Sequence, residues 1–179
     1  MSNTVLISGI CAVLLFWGVG AYNRLVRLRA LAIGAFAPLQ SQYGQYSTLV
    51  KSNFELGVGD DVHIAWTCLI NAALQFEASL KVANVRPLDS LVLQALDTAY
   101  QVLQAAWCRV CREPQDLAGE PLPEDLQKQW ADISFQVDRG RDEFKRRVQD
   151  YNQGIEQFPA NFLAWLFRFK PAYLEKETS

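Results

Sequence analysis

The chain has 179 residues, 50% of them hydrophobic, and its 17 Lys and Arg residues against 19 Asp and Glu residues give a formal net charge of −2 at pH 7. This near-neutral balance excludes the broad basic surface that is typical of nucleic-acid-binding proteins. When an apolar run near the amino end is set aside, about 157 residues remain, enough for one domain with its own hydrophobic core.

The apolar run spans Val5–Tyr22 without a charged residue, and Arg24, Arg27 and Arg29 follow it at once. This length is just enough for a helix to cross a bilayer core of roughly 30 Å. Basic residues beside a span stay in the cytoplasm, so we predict a single-pass protein with its amino end outside. A cleaved signal peptide ending near Val19-Gly20-Ala21 is the alternative, and the position of the arginines after the run disfavours it.

The predicted organisation is a transmembrane anchor at 1–22, a cytoplasmic helical-bundle domain at 23–174 and a short tail at 175–179. No Asp or Glu occurs between Tyr22 and Phe54. The arginines of this basic stem either only stop translocation or also favour contact with anionic lipid.

Helical periodicity without strand-like alternation predicts an all-α fold. Helix one should continue from the membrane to Gly57-Val58-Gly59, with a kink at Pro38. Helix two should be capped by Asp60 or Asp61 and end near Val82. Its predicted core face consists of Val62, Trp66, Leu69, Ile70, Ala73, Phe76 and Leu80.

Helix three should begin near Pro87, since proline suits a first helical turn. Its predicted core face consists of Leu88, Val92, Ala95, Ala99, Val102 and Ala106. Helix four has the most regular pattern, a coiled-coil-like heptad in which Gly140 takes one core position. Its other core positions are Leu126, Trp130, Ile133, Val137, Phe144, Val148, Tyr151, Ile155 and Phe158.

Short connections make consecutive helices antiparallel. The expected fold is therefore a transmembrane helix that continues into an elongated antiparallel four-helix bundle, with helices one and four side by side along their length. Helix four then returns to the membrane surface, where a short carboxyl-terminal helix within Asn161–Phe169 follows Pro159. The aromatic residues of this segment, among Arg168 and Lys170, either lie in the lipid headgroup region or cap the bundle core.

The two ends of the chain carry motifs that resemble the LemA family. At the carboxyl end these are Tyr151-Asn152, Ile155, Phe158-Pro159, Asn161, Ala164, Phe167, Phe169-Lys170 and Tyr173, and near the amino end Tyr22-Asn23, Leu25-Val26 and Leu28-Arg29. The resemblance implies a bacterial inner-membrane protein with an amino-terminal membrane helix and an elongated helical bundle. The middle helices show no match to the family by inspection.

Residues with catalytic potential are few. The four cysteines are Cys11, Cys68, Cys108 and Cys111, and they are expected to be buried, unreactive thiols. A redox role for the Cys108–Cys111 pair is disfavoured, because the pair lies at a helix end whose dipole disfavours a thiolate. A zinc site would need Cys68 and His63 from another helix, and one histidine gives a single candidate base. We therefore expect no enzyme activity, cofactor or metal.

The function expected from the sequence is a membrane-anchored scaffold, or interaction module, that presents its bundle to an unknown protein partner. The alternative is a membrane-surface organiser that binds lipid through the carboxyl-terminal segment, and homo-oligomerisation is a third possibility. Expected motif or interaction residues are Tyr22, Asn23, Tyr151, Asn152, Phe158, Pro159, Asn161 and Phe169, unless they only fix the turn after helix four. Expected membrane-interface residues are Arg24, Arg27, Arg29, Trp165, Arg168 and Lys170.

Overall fold

The computed structural model describes residues 2–53, 64–112, 122–158 and 160–172, excluding the side chains of residues 2–6, 10, 11 and 14. These ranges form five α-helices: α1 (Ser2–Ser52), α2 (Ile64–Val85), α3 (Ser90–Arg112), α4 (Glu124–Glu156) and α5 (Ala160–Leu166). No strand occurs in the described ranges, and the all-α prediction is confirmed.

The helix boundaries differ from the predicted ones at several ends. Helix α1 ends at Ser52 and runs continuously through Pro38. The predicted stop at residues 57–59 lies outside the described residues, as do Val62, His63 and the two predicted caps at 60 and 61. Helix α3 begins at Ser90, because Asp89 Oδ1 accepts hydrogen bonds from the backbone N–H groups of Leu91 and Val92, at 3.1 and 3.4 Å. Asp89 is thus the amino-terminal cap that the sequence reading missed.

Helices α1 and α4 form an antiparallel pair along the whole length of α4. The ring centroids of Tyr46 and Trp130 are 4.6 Å apart, and those of Phe36 and Phe144 are 5.4 Å apart, so that residue numbers fall on one helix as they rise on the other. A Cβ at Gly140 would collide with Gln42 Oε1 and lie 3.2 Å from Leu39 Cδ1. Glycine at this heptad position therefore allows the two helices to pack closely.

Helix α2 packs between α1 and α3, whereas no Cα atom of α3 lies within 8 Å of one in α1 or α4 among the described residues. Large side chains fill the space between α3 and α4. The indole rings of Trp107 and Trp130 stack there with centroids 4.1 Å apart and an interplanar angle of 6°. Between α3 and α4, therefore, large side chains and not close helix packing complete the four-helix bundle.

The predicted core faces are partly correct. On α4 the heptad positions from Leu126 to Tyr151 are buried or half-buried, but Phe158 follows the helix and is 82% exposed. On α3 the predicted face is correct in part: Ala99 is buried and Val92 and Ala106 are half-buried against the core, but Ala95 and Val102 are exposed. The buried positions of α3 are Leu93, Leu96, Ala99, Leu103 and Trp107, whose larger side chains bury more apolar area than the alanine-rich face would.

The amino-terminal part of α1 extends beyond the bundle. The first aromatic contact along α1 is between Trp17 and Phe158, which follows α4, with ring centroids 6.0 Å apart. No side chain described in this part is buried, and Phe16 is 83% exposed. Searched over the positions that the structure describes, no helix is long and apolar enough to span a bilayer. The described side chains do not include those of five residues of the predicted span: Val5, Leu6, Ile10, Cys11 and Leu14. The membrane span therefore stays a prediction.

Candidate functional site at the base of the bundle

Most of the predicted interaction residues meet where α1 leaves the bundle, which we call the base. Tyr22 on α1 contacts two rings that follow α5, with centroid distances of 4.9 Å to Phe167 and 6.2 Å to Phe169. Leu25 is fully buried against Ala160 and Ala164 of α5. The two motifs from opposite ends of the chain are therefore packed together.

Tyr151 and Asn152 hold the segment after α5 against α4. The buried Tyr151 hydroxyl donates to the Lys170 carbonyl at 3.0 Å. The Asn152 amide donates to the Ala172 carbonyl at 3.0 Å and accepts from the Ala172 N–H at 2.9 Å, which satisfies both backbone groups of that residue. These residues thus fix a segment further along the chain than the turn directly after α4.

Helix α5 buries small residues and exposes large ones. Ala160 and Ala164 face the bundle, whereas Trp165 is 75% exposed and Phe162 is 61% exposed. Of the two alternatives for the aromatic residues of this segment, a cap on the core does not hold for Trp165 and Phe162, whereas the half-buried Phe169 packs against the core. We use the term aromatic collar for the exposed rings at the base: Trp17, Tyr22, Phe158, Phe162, Trp165 and Phe167.

Helix α5 ends in a left-handed turn at Arg168, whose φ is 55°. The Phe169 N–H donates to the Ala164 carbonyl at 2.9 Å, and the Arg168 N–H donates to the Trp165 carbonyl at 3.3 Å. These are the two hydrogen bonds of a Schellman motif, in which the left-handed position is usually glycine. Arginine at that position is strained relative to glycine.

Five cations surround the base: Arg24, Arg27, Arg29, Arg168 and Lys170, all exposed. None of them forms an ion pair with an acidic group in the described part of the chain. Of the other predicted residues, Asn23 and Asn161 are exposed, and Asn161 Oδ1 accepts from the Phe162 N–H at 2.7 Å. Pro159 and Tyr173 lie outside the described residues.

A closed ring of hydrogen bonds inside the upper bundle was missed by the sequence reading. Trp130 Nε1 donates to Gln104 Oε1 at 3.2 Å, and Gln104 Nε2 donates to the Tyr46 hydroxyl at 3.0 Å. The Tyr46 and Ser134 hydroxyl oxygens are 2.9 Å apart, and Ser134 Oγ donates to the Trp130 carbonyl at 2.9 Å. The only sequence signal for it is a polar residue directly beside a core position on α3 and on α4.

A second polar group closes the space between α3 and α4 below this ring. Arg141 donates to Asp97 Oδ1 at 2.8 Å and to the Tyr43 hydroxyl at 3.2 Å, and its guanidinium lies 4.9 Å from the Tyr100 ring centroid. Burial raises the pKa of Tyr43 to about 12, and the nearby Arg141 opposes that shift. The adjacent cavity of about 130 Å³ is smaller than typical small-molecule pockets of roughly 300 Å³ or more, so we assign this group to stability.

The cysteines carry no site. Cys108 and Cys111 are exposed and Cys68 is half-buried, so the expectation of buried thiols is wrong for the pair. Both follow Trp107 on α3 and lie off its buried face. Although Cys111 is exposed, partial desolvation of its thiol raises its pKa, with Cys108 adding to the effect, which disfavours the reactive thiolate. Among the described residues no group of three His, Cys, Asp or Glu side chains could hold a metal ion.

A family model described as LemA family matches residues 97–178. The matched range begins within α3 and covers α4, α5 and the carboxyl-terminal motif, so the family resemblance extends into helices in which inspection of the sequence found no match. The motif after the apolar run lies outside the matched range. No curated protein and no solved structure matches the chain significantly.

Proposed function

The chain belongs to the LemA family, and from that premise we propose that it is a single-pass protein of the bacterial inner membrane whose bundle acts in the cytoplasm as a scaffold for a protein partner. The proposed role is not enzymatic. The observation that carries the proposal is the extension of α1 beyond the bundle, because this extension coincides with the apolar run of the sequence.

The position of the aromatic collar supports this arrangement. Tyr and Trp residues are enriched at the two interfaces of a membrane, where an amphipathic ring can contact both lipid and water. The collar lies at the point where the extension begins, as the contacts of Trp17 and Tyr22 indicate. The arginines that follow Tyr22 would lie in the cytoplasmic headgroup region, in agreement with the positive-inside rule.

The exposed thiols of α3 provide a direct test of anchorage and orientation. Helix α3 runs away from the base, so Cys108 and Cys111 lie at the far end of the bundle. We expect a membrane-impermeant maleimide to label them in inverted membrane vesicles and not in intact spheroplasts. The variant with both cysteines replaced by serine controls for labelling elsewhere. Labelling in intact spheroplasts would refute the orientation, and loss of the protein from membranes at alkaline pH would refute the anchor.

The scaffold role is tested by crosslinking in cells. A photoreactive amino acid at Asp132 or Gln136 would sample the exposed surface of α4, and one at Tyr46 would serve as a buried control. Capture of one dominant protein from the exposed positions alone is expected. Capture of the same chain only would instead support homo-oligomerisation.

The second candidate, lipid binding by the carboxyl-terminal segment, is favoured by the exposure of Trp165 and Phe162. In a chain lacking residues 1–21, replacement of both by alanine should abolish co-sedimentation with liposomes and leave the helical circular dichroism unchanged. Phe135→Ala removes a ring of similar exposure on α4, away from the base, and should have no effect. Equal binding by all variants would refute this candidate.

A further inference from the structure

The Schellman motif explains the left-handed conformation at position 168, but the local fold does not explain why that position is arginine. Glycine would satisfy the same Schellman motif without steric strain, and the arginine side chain is exposed. A strained residue that persists at an exposed position is grounds for a functional hypothesis. The property that glycine cannot supply here is the guanidinium.

The charge pattern of the chain indicates what that guanidinium contacts. Above the base, cations such as Lys51, Arg141 and Arg147 pair with acidic residues of the bundle. At the base, the five cations lack such partners within the described residues, and 2–30 and 157–172 contain no Asp or Glu. The nearest acidic residues of the described ranges are Asp150 and Glu156, at the end of α4. The five cations outnumber them, and an anionic ligand would neutralise the excess positive charge.

The position of Arg168 fixes the height of these charges on the molecule. Its neighbours Phe167 and Phe169 both contact Tyr22, so Arg168 lies level with that residue. At 1.5 Å per residue, Arg24 and Arg27 are roughly 3 and 8 Å further along α1. Guanidinium groups pair with phosphate oxygens through two parallel hydrogen bonds, and here they lie beside rings suited to the headgroup region.

We propose that the base of the bundle selectively binds acidic phospholipids, with Arg168 contacting the headgroup phosphate and Arg24, Arg27, Arg29 and Lys170 supplying the surrounding positive charge. This inference rests on the proposed membrane anchorage. It goes beyond that proposal in naming the lipid class and in assigning the strained residue a role in selection.

The test uses the full chain in phosphatidylcholine nanodiscs that contain a small fraction of lipid with brominated acyl chains, which quench tryptophan fluorescence on contact. The brominated lipid is either phosphatidylglycerol or phosphatidylcholine. Trp17 and Trp165 are the exposed reporters, whereas the other three tryptophans are buried in the bundle. We expect half-maximal quenching at a several-fold lower fraction of the acidic lipid than of the neutral one.

Three variants separate the role of the charge from that of the backbone. Arg168→Gln keeps a non-glycine side chain and should raise the half-maximal fraction of acidic lipid about fivefold, the factor that corresponds to ~1 kcal/mol per basic residue at an anionic surface. Arg168→Gly should weaken the preference similarly while raising the Tm, because the strain is relieved. Arg112→Gln removes an exposed charge at the far end of the bundle and should change neither property.

The outcomes distinguish this inference from the proposed function. Equal quenching by both brominated lipids would leave the anchor in place and overturn the selectivity. Absence of quenching by either lipid would overturn both. A higher Tm in Arg168→Gly with an unchanged lipid preference would assign Arg168 no lipid role and overturn the inference. Displacement of the acidic lipid by inorganic phosphate at constant ionic strength would indicate a soluble-anion site and would also overturn it.

Discussion

The closed hydrogen-bond ring in the upper bundle gives a prediction about stability. Tyr46 is fully buried, and its hydroxyl is the link that joins Gln104 on α3 to Ser134 on α4. The substitution Tyr46→Phe removes only the hydroxyl oxygen and leaves the ring packing against Trp130 in place. Gln104 Nε2 then loses its acceptor, and Ser134 Oγ loses a donor.

The expected cost follows from the exposure of these two groups. A buried polar group left without a partner costs about 1–3 kcal/mol. Gln104 and Ser134 are half-buried, so water can reach them in part, and the cost for each should lie at the lower end of this range. We therefore expect Tyr46→Phe to lower the free energy of unfolding by about 2 kcal/mol, and a chain of this length should then lose roughly 4–8 °C in Tm.

The assay is urea unfolding of the full chain in mild detergent, followed by tryptophan fluorescence. In a Gln104→Met background the same substitution should cost about 1 kcal/mol less, because the Gln104 amide, one of the two groups that would lose a hydrogen bond, is already absent. Tyr22→Phe, which removes a more exposed hydroxyl, serves as the matched control and should change stability by under 0.5 kcal/mol. An equal cost of Tyr46→Phe in both backgrounds would refute the ring.

Three further predictions concern charge and the carboxyl-terminal segment. Asp97→Asn should cost about 1–3 kcal/mol in urea unfolding, because the Asp97–Arg141 pair is mostly buried, whereas Glu143→Gln breaks a more exposed pair and should cost under 1 kcal/mol. Comparable losses would contradict this reasoning. The pKa of Tyr43 is raised above 10 to about 12, so stability should be complete below pH 10 and fall as pH rises towards 12, with a smaller fall in Tyr43→Phe. If Tyr43→Phe had the same dependence of stability on pH as the unmodified chain, the burial of the Tyr43 hydroxyl would be contradicted. Asn152→Ala removes two hydrogen bonds and should speed tryptic cleavage after Arg168 about tenfold. An unchanged cleavage rate would show that other contacts hold the segment.

The sequence predicted helix four well and helix three poorly, for a physical reason. On α4 the large apolar residues and the heptad positions coincide, so a single face satisfies both criteria. On α3 two faces have helical spacing, and the buried one contains Leu103 and Trp107, which bury more area than Ala95 and Val102. Weighting each position by side-chain size would have selected the observed face.

The base could be predicted only in outline. The motif residues Tyr22, Tyr151 and Asn152 were identified from the sequence, but not the hydrogen bonds that they make. Those bonds depend on where the chain returns after α5, which periodicity does not specify. The exposure of Trp165 could not be read either, because a helix as short as α5 has too few residues to establish an apolar face.

The continuity of α1 has a mechanical consequence. In the proposed arrangement, one helix forms both the membrane anchor and the longest element of the bundle, without a flexible joint between them. From Tyr22 to Ser52 the helix rises about 45 Å, so a tilt of roughly 20° in the bilayer would displace the far end of the bundle sideways by about 15 Å. The aromatic and basic residues at the interface, which set helix tilt, would thereby determine how far from its anchor the protein can reach.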